Sequence, residues 1–315
     1  MTPHPSSDSL DDLLREAAAE IHAADALLIT AGAGMGVDSG LPDFRSERGF
    51  WRAYPRLAEL GRSFKEMANP GWFERDPHLA WAFYGHRLNL YRQTVPHEGF
   101  HRLLEIAAPK PAGYFVFTSN VDGQFQKAGF APDRIVECHG SIHHFQCTVP
   151  CCTAIWSATG ETVVVDEGAF RAQDPLPICK RCGGLARPNI LMFNDWNWLS
   201  QRTDAQEGQF DAWLERLARS SARLVVIELG AGTAIPTVRV TSEQVARRFA
   251  AKLIRINPRE AEVPGGHIGL PMGAAEAVRR ILTRNSVLEI TPPAGNQGCA
   301  QPKRRTNGVR PITHG

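Results

Sequence analysis

Four cysteines in two close pairs carry the most specific chemistry in this chain: Cys147-x-x-x-Cys151 and, after an intervening loop, Cys179-x-x-Cys182. Thiolates grouped in this way suit a closed tetrahedral zinc site, in which sulfur fills every position and none is left for a reactive water. Cys152 is an adjacent rival to Cys151, and the spacing leaves that choice open; Cys151 is the preferred ligand. His143 and His144 are the less favoured donors. Of seven cysteines, five fall between Cys147 and Cys182, a clustering that points to metal rather than to disulfides in a chain without a secretory signal. Zinc would staple a segment too poor in apolar residues to hold itself together. The alternative is a zinc ribbon that binds protein or nucleic acid, but basic residues interleaved with aromatics are lacking here.

Three further groups could do chemistry. The turn Thr30-Ala-Gly-Ala-Gly-Met-Gly36 follows an apolar run. Glycines there let the backbone approach a phosphate and aim N–H groups at it. It lacks the full G-x-G-x-x-G spacing with a later acid, and a tight corner would read the same way. Ser119-Asn-Val-Asp-Gly123 and Glu137-Cys-His-Gly140 each end a short apolar segment. Taken singly, the first is a turn and His139, one of eleven histidines, a structural residue. Together they stand at carboxyl ends of two predicted parallel strands, the edge where open α/β sheets bind ligands. Finally, Tyr84 and Arg87 are three apart on a predicted helix and share a face. Such a pair can hold a carboxylate by charge-assisted hydrogen bonds, or can be an ordinary surface pair.

The elements that must position these residues alternate. Apolar runs at Ala26–Thr30, Tyr114–Thr118, Leu224–Leu229 and Lys252–Ile256 read as buried strands. Helical periodicity marks Leu10–Ala24, with Ser9 and Asp12 as a capping pair, then Pro77–Gln93, His97–Ala107, Ser242–Ala251 and Ala274–Leu282. The expectation is an α/β fold: a doubly wound, mostly parallel Rossmann-like sheet with a smaller zinc-binding and helical insertion domain. Residues 10–52, 95–140 and 220–285 would form the nucleotide-binding domain, 53–94 and 141–200 the smaller one, and 292–315 a disordered tail of Pro, Gly and polar residues. A ligand would lie in the crevice between the two domains.

The 315 residues carry a net charge of +2 and are 43% apolar, which suits a globular core and gives no broad signal for nucleic acid or membrane. No window is apolar enough to span a bilayer, and the polar, acidic stretch from Met1 to Asp12 does not read as a secretory signal. The expected compartment is the cytoplasm.

From about Ala26 to Ala275, in motif order, the sequence resembles the sirtuin family of NAD-dependent protein lysine deacylases. The resemblance rests on Gly32-Ala-Gly34 with Ser39-Gly-Leu-Pro-Asp-Phe-Arg45, on Asn120-Val-Asp122, on His139-Gly140, on the cysteine module, and on Arg187-Pro-Asn-Ile-Leu-Met-Phe193. Gly232-Thr233, Asn257 and Gly273-Ala-Ala275 complete it. It implies that NAD is consumed as co-substrate and that zinc is structural. Gly32, Ala33 and Gly34 would line the pyrophosphate, and Arg45 would meet phosphate or ribose. Asp43 and Phe44 would flank the nicotinamide, whose carboxamide Asp122 would hold. Asn120 would orient the ribose and a water, and His139 would be the general base that activates a ribose hydroxyl, a task suited to imidazole. Gly232, Thr233 and Asn257 would contact the adenosine ribose, and Ala275 the adenine.

Residues 187–193 would pair with the backbone of an acylated lysine peptide, the implied partner. Tyr84 and Arg87 match the Tyr-x-x-Arg of relatives that remove succinyl or malonyl groups. The chain departs from the family at Gly36, where serine is usual, at Leu41, and at Phe125, where many members have histidine. Ser119 replaces a glutamine that usually contacts the ribose. Asn194-Asp195 stand for Gly-Glu, and Ala234 for serine. Transfer of ADP-ribose to protein, or hydrolysis of NAD without an acceptor, are the alternatives within this family.

Overall fold

A computed structural model describes residues 7–42, 47–59 and 61–288. Its strands, in chain order, are β1 (Ala26–Ala31), β2 (Tyr114–Thr118), β3 (Ile135–Glu137), β4 (Gly140–Cys147), β5 (Ile155–Ser157), β6 (Val165–Asp166), β7 (Arg171–Ala172), β8 (Ala186–Ile190), β9 (Leu224–Leu229), β10 (Lys252–Ile256) and β11 (Ile268–Leu270). Among the described residues one sheet has six strands in the order β11-β10-β9-β1-β2-β3, and every pairing in it is parallel. Numbered along the chain within this sheet, the order is 3-2-1-4-5-6. It is the doubly wound arrangement, and its order reverses between β1 and β9.

Strand β1 is buried along its whole length, because helices cover both faces of the sheet and side chains alternate between them. Leu27, Ile29 and Ala31 face one core, built with helices Ser7–Ala23, Glu98–Ala107 and Ala274–Leu288 through Leu14, Ile21, Leu103 and Ile281. Ala26 and Leu28 face the other, where Phe210, Trp213 and Leu217 of helix Gln201–Ser220 pack. A third apolar cluster lies apart from the sheet. It joins Phe50, Tyr54, Trp81, Phe83 and Tyr84, which precede β2 in the chain, to Ile142, Phe145 and Ile190 of the strand pair β4–β8. Among the described residues no helix is long and apolar enough to cross a membrane.

Three details differ from the sequence-based expectations. Helix Gln201–Ser220 was not expected; its first turns are polar, and Thr203 and Gln206 point inward to bond the backbone of Glu137. The helix expected over Ser242–Ala251 runs over Thr237–Arg248. Ser242 is buried in its middle, donating to the Val238 carbonyl and meeting Thr30 Oγ1, and Ala250 leaves the helical region with φ 48°. The first helix begins by Ser7, so Ser9 and Asp12 lie within it rather than at its cap. The tail expected over 292–315 falls outside the described residues.

Candidate active site and metal centre

The carboxyl ends of β1 and β9 meet where the sheet order reverses, and glycine is needed on both sides. A Cβ on Gly32 would stand 2.7 Å from the Gly230 carbonyl oxygen, and one on Gly34 2.7 Å from the Gly230 Cα. Gly230 itself has φ 59°, a region that favours glycine. The turn is held by Gly32 N–H to Leu229 O (2.9 Å) and Gly34 N–H to Gly230 O (3.0 Å). A cavity of about 660 Å³ opens beside it, lined by Ala33, Gly34, Gly232, Thr233 and Asn257. Thr233 donates its N–H and hydroxyl to the Glu260 carboxylate (2.9 and 2.8 Å). The Asn257 amide shapes this wall, donating to Ala231 O and accepting from Arg259 and Glu260 N–H. Gly273 and Ala274 line the cavity, while Ala275 lies outside it with its N–H on Asp38.

A second cavity, of about 240 Å³, adjoins the first at Ala33 and contains Ser119, Asn120, Asp122, His139, Tyr84 and Arg87. Asn120 is tied to the glycine turn by Nδ2 to Gly32 O (2.9 Å), and its own N–H donates to Thr118 Oγ1 (3.0 Å). Asp122 is buried and accepts the Gln124 N–H (3.0 Å). Burial, reinforced by the negative Glu137, pushes its carboxyl up to about 6, against the pull of the Gln124 N–H and Arg87. His139 follows β3, and its carbonyl accepts the N–H of Leu191 just beyond β8. Gly140 allows this: with φ 76°, a Cβ there would lie 2.1 Å from Asn189 O. Asp43, Phe44 and Arg45 fall outside the described residues.

Sequence reasoning missed the groups that fix this wall. Glu137 is buried in an ion pair with Arg202, and Thr203 and Gln206 hold its backbone. The signal was a carboxylate inside an apolar strand, which needs a cation. Arg187 and Asp195 form a pair at 2.7 Å with both side chains fully buried, and Asp195 also accepts the Met192 N–H. Asn194 takes the position of the family's glycine with φ 58°, a conformation asparagine tolerates better than most residues. Asp195 thus anchors the loop.

An ionised Asp122 in this setting costs stability. Unfolded, the group ionises near pH 4; folded, near 6. Stability should therefore fall between those values and stay lowered above them, by on the order of 2–3 kcal/mol. Asp122→Asn is expected to melt higher than the parent at pH 8 and to lose that advantage near pH 4, as thermal unfolding of the ligand-free protein at both pH values will show.

The four cysteines converge outside this crevice. The Sγ atoms of Cys147, Cys151, Cys179 and Cys182 all lie within 4.8 Å of one another, with Cys147–Cys182 at 3.7 Å and Cys151–Cys179 at 3.6 Å. Zinc–sulfur bonds of about 2.3 Å in a tetrahedron place sulfurs about 3.8 Å apart, so the set fits zinc. Cys152 stands outside this group, beside Cys151.

The chain matches the model of the Sir2 family over residues 32–209. It is 31% identical over 278 residues to an NAD-dependent protein deacylase of Methylococcus capsulatus, spanning 86% of this chain and 95% of that one. It is 28% identical over 270 residues to NAD-dependent protein deacylase 2 of Pyrobaculum aerophilum, spanning 82% and 94%. Its fold is similar to the crystal structure of a Sir2 homolog–NAD complex (TM-score 0.64, 23% identity, 87% and 94% covered) and to a structure of Sir2 bound to acetylated peptide (0.60, 22%, 87% and 99%).

Proposed function

Because the chain belongs to the Sir2 family, we propose that it is an NAD-dependent protein lysine deacylase whose reaction takes place where the two cavities join at Ala33. The observation that carries this reading is that Asn120, Asp122 and His139 line one cavity that adjoins the glycine-turn crevice at Ala33. In this reading residues 10–52, 95–140 and 220–285 bind the nucleotide, and 53–94 with 141–200 cover the acyl-lysine side. When bound, NAD supplies the ribose carbon that accepts the acyl oxygen and the nicotinamide that leaves.

The protein's own groups do the rest. Ala33 and Gly34 let the crevice take a pyrophosphate without side-chain obstruction. Asp122, ionised above about pH 6, accepts from the carboxamide of nicotinamide. Asn120, fixed to Gly32 O, orients ribose and water. His139 takes the proton of a ribose hydroxyl, which general-base catalysis makes worth about 10²–10⁴-fold. Apolar walls from Leu41, Phe64, Ile190 and Met192 keep bulk water from the reacting atoms. The backbone beyond β8 presents the acyl-lysine peptide. Zinc on the four thiolates is structural, and thiolates kept for metal fit a reducing compartment, the cytoplasm.

Tyr84 and Arg87 reach the same cavity from helix Pro77–Gln93. Burial raises the Tyr84 phenol, so it is a neutral donor, and its hydroxyl has no hydrogen-bond partner among the described residues. A buried donor beside a cation suits an acyl chain that ends in a carboxylate, such as succinyl or malonyl. Arg87→Met is expected to lower kcat/KM on succinyl-lysine peptide by about thirtyfold or more; desuccinylation at the parental rate would refute the acidic-acyl assignment.

A further inference from the structure

We propose that Tyr91 is a positioning residue for acyl selectivity: its phenol fixes the Arg87 guanidinium and thereby favours acyl chains that end in a carboxylate over neutral ones. The proposal rests on the reading of Tyr84 and Arg87 given above. Tyr84, Arg87 and Tyr91 stand at i, i+3 and i+7 of helix Pro77–Gln93, so they form one stripe. All three line the cavity that holds His139 and Asn120, and all are buried.

The Tyr91 oxygen accepts from both Nε (3.1 Å) and Nη2 (2.9 Å) of Arg87. Two bonds to one edge of a planar fork remove its rotation about the Cδ–Nε bond. A carboxylate that reaches the cation would meet a guanidinium plane already set by the phenol. The rings of Phe64, Phe83, Tyr84 and Tyr91 surround the cation at 5.3–5.8 Å, which closes off other side-chain postures. A phenol suits this task because it is neutral. It orients Arg87 without cancelling its charge, as a carboxylate at position 91 would.

Tyr91 is itself anchored to the catalytic loop. Its carbonyl accepts from Gln124 Nε2 (3.2 Å), and Gln124 N–H donates to Asp122 Oδ1 (3.0 Å). The spacing between the Arg87 fork and the carboxylate that meets nicotinamide is therefore fixed through two hydrogen bonds rather than by helix packing alone. Nothing in the Tyr-x-x-Arg pair requires a tyrosine one turn further on; this chain supplies it.

The experiment compares parent, Tyr91→Phe, Tyr91→His and Arg87→Met on one peptide carrying acetyl-lysine or succinyl-lysine, with saturating NAD. Tyr91→Phe keeps the ring and removes only the oxygen. It should lower the succinyl-to-acetyl ratio of kcat/KM by about tenfold, with the change in KM rather than kcat, and Tyr91→His, which restores a ring acceptor, should recover part of it. If Tyr91→Phe keeps the parental ratio while Arg87→Met loses it, Tyr91 has no such role and the acidic-acyl reading stands. An equal fall on both substrates marks a merely structural tyrosine and overturns the proposal. If Arg87→Met also leaves the ratio unmoved, the underlying reading fails and this inference falls with it.

Discussion

Replacing His139 with alanine is expected to lower acyl-lysine turnover by about 10²–10⁴-fold while leaving the protein folded. The size follows from the role: a positioned base takes a hydroxyl proton as the new bond forms. The retained fold follows from the surroundings. The wall beside His139 is fixed by groups other than its imidazole: the Glu137–Arg202 ion pair, the bonds of Thr203 and Gln206 to the Glu137 backbone, and Leu191 N–H to the His139 carbonyl. An alanine keeps all of these. Steady-state deacylation, read beside the melting temperature, separates the two effects. A variant that melts like the parent and turns over within about threefold of it would remove His139 from the mechanism.

The second large effect concerns zinc. Structural sites of this kind contribute about 10–16 kcal/mol on metal binding, comparable with the whole stability of a typical domain, about 5–15 kcal/mol. Cys147 and Cys179 are almost fully buried, at 3% and 1% exposure. The strands around them are short: β5 has three residues and β6 and β7 two each. Without metal, these pieces lack the apolar area to hold together. Cys179→Ser, or a strong zinc chelator, should therefore unfold the region of β4 to β8 and abolish activity, while the parallel sheet keeps its own core. Elemental analysis of the parent should give one zinc per chain. Near-ultraviolet circular dichroism should show loss of the environment of Trp156 in β5 on metal removal. An unchanged spectrum and full activity in the metal-free protein would contradict the structural role.

How much of this could be read from residues differs from element to element. Strands β1, β2, β9 and β10 were legible because a strand buried on both faces shows an unbroken apolar run. Their order in the sheet was not, since nothing local states which strand lies beside which; the reversal between β1 and β9 appears only when Gly230 is found against Gly34. Helix Gln201–Ser220 escaped because its inward Thr203 and Gln206 are polar and earn their burial through hydrogen bonds. The cysteine set was legible from spacing, though the choice of Cys151 over Cys152 needed the geometry of four sulfurs. Asn120, Asp122 and His139 were expected at strand ends, and the structure brings them to one cavity. Their supports, Gln124, Glu137, Arg202 and the Arg187–Asp195 pair, were not expected, because each acts with a partner distant in sequence. That Asn194 would adopt a left-handed backbone, φ 58°, was not legible either, since asparagine adopts it only where its surroundings require it.

The proposed chemistry couples nicotinamide loss to an acyl-lysine. The decisive measurement is nicotinamide release from NAD by the parent protein with acetyl-lysine peptide, with succinyl-lysine peptide and with no peptide, alongside mass spectrometry of peptide and protein. Release is expected only in the presence of acylated peptide, equimolar with free lysine, and faster with the acidic acyl chain. Release without peptide, or ADP-ribose found attached to protein, would contradict this chemistry and assign the same cavity to NAD hydrolysis or ADP-ribosyl transfer.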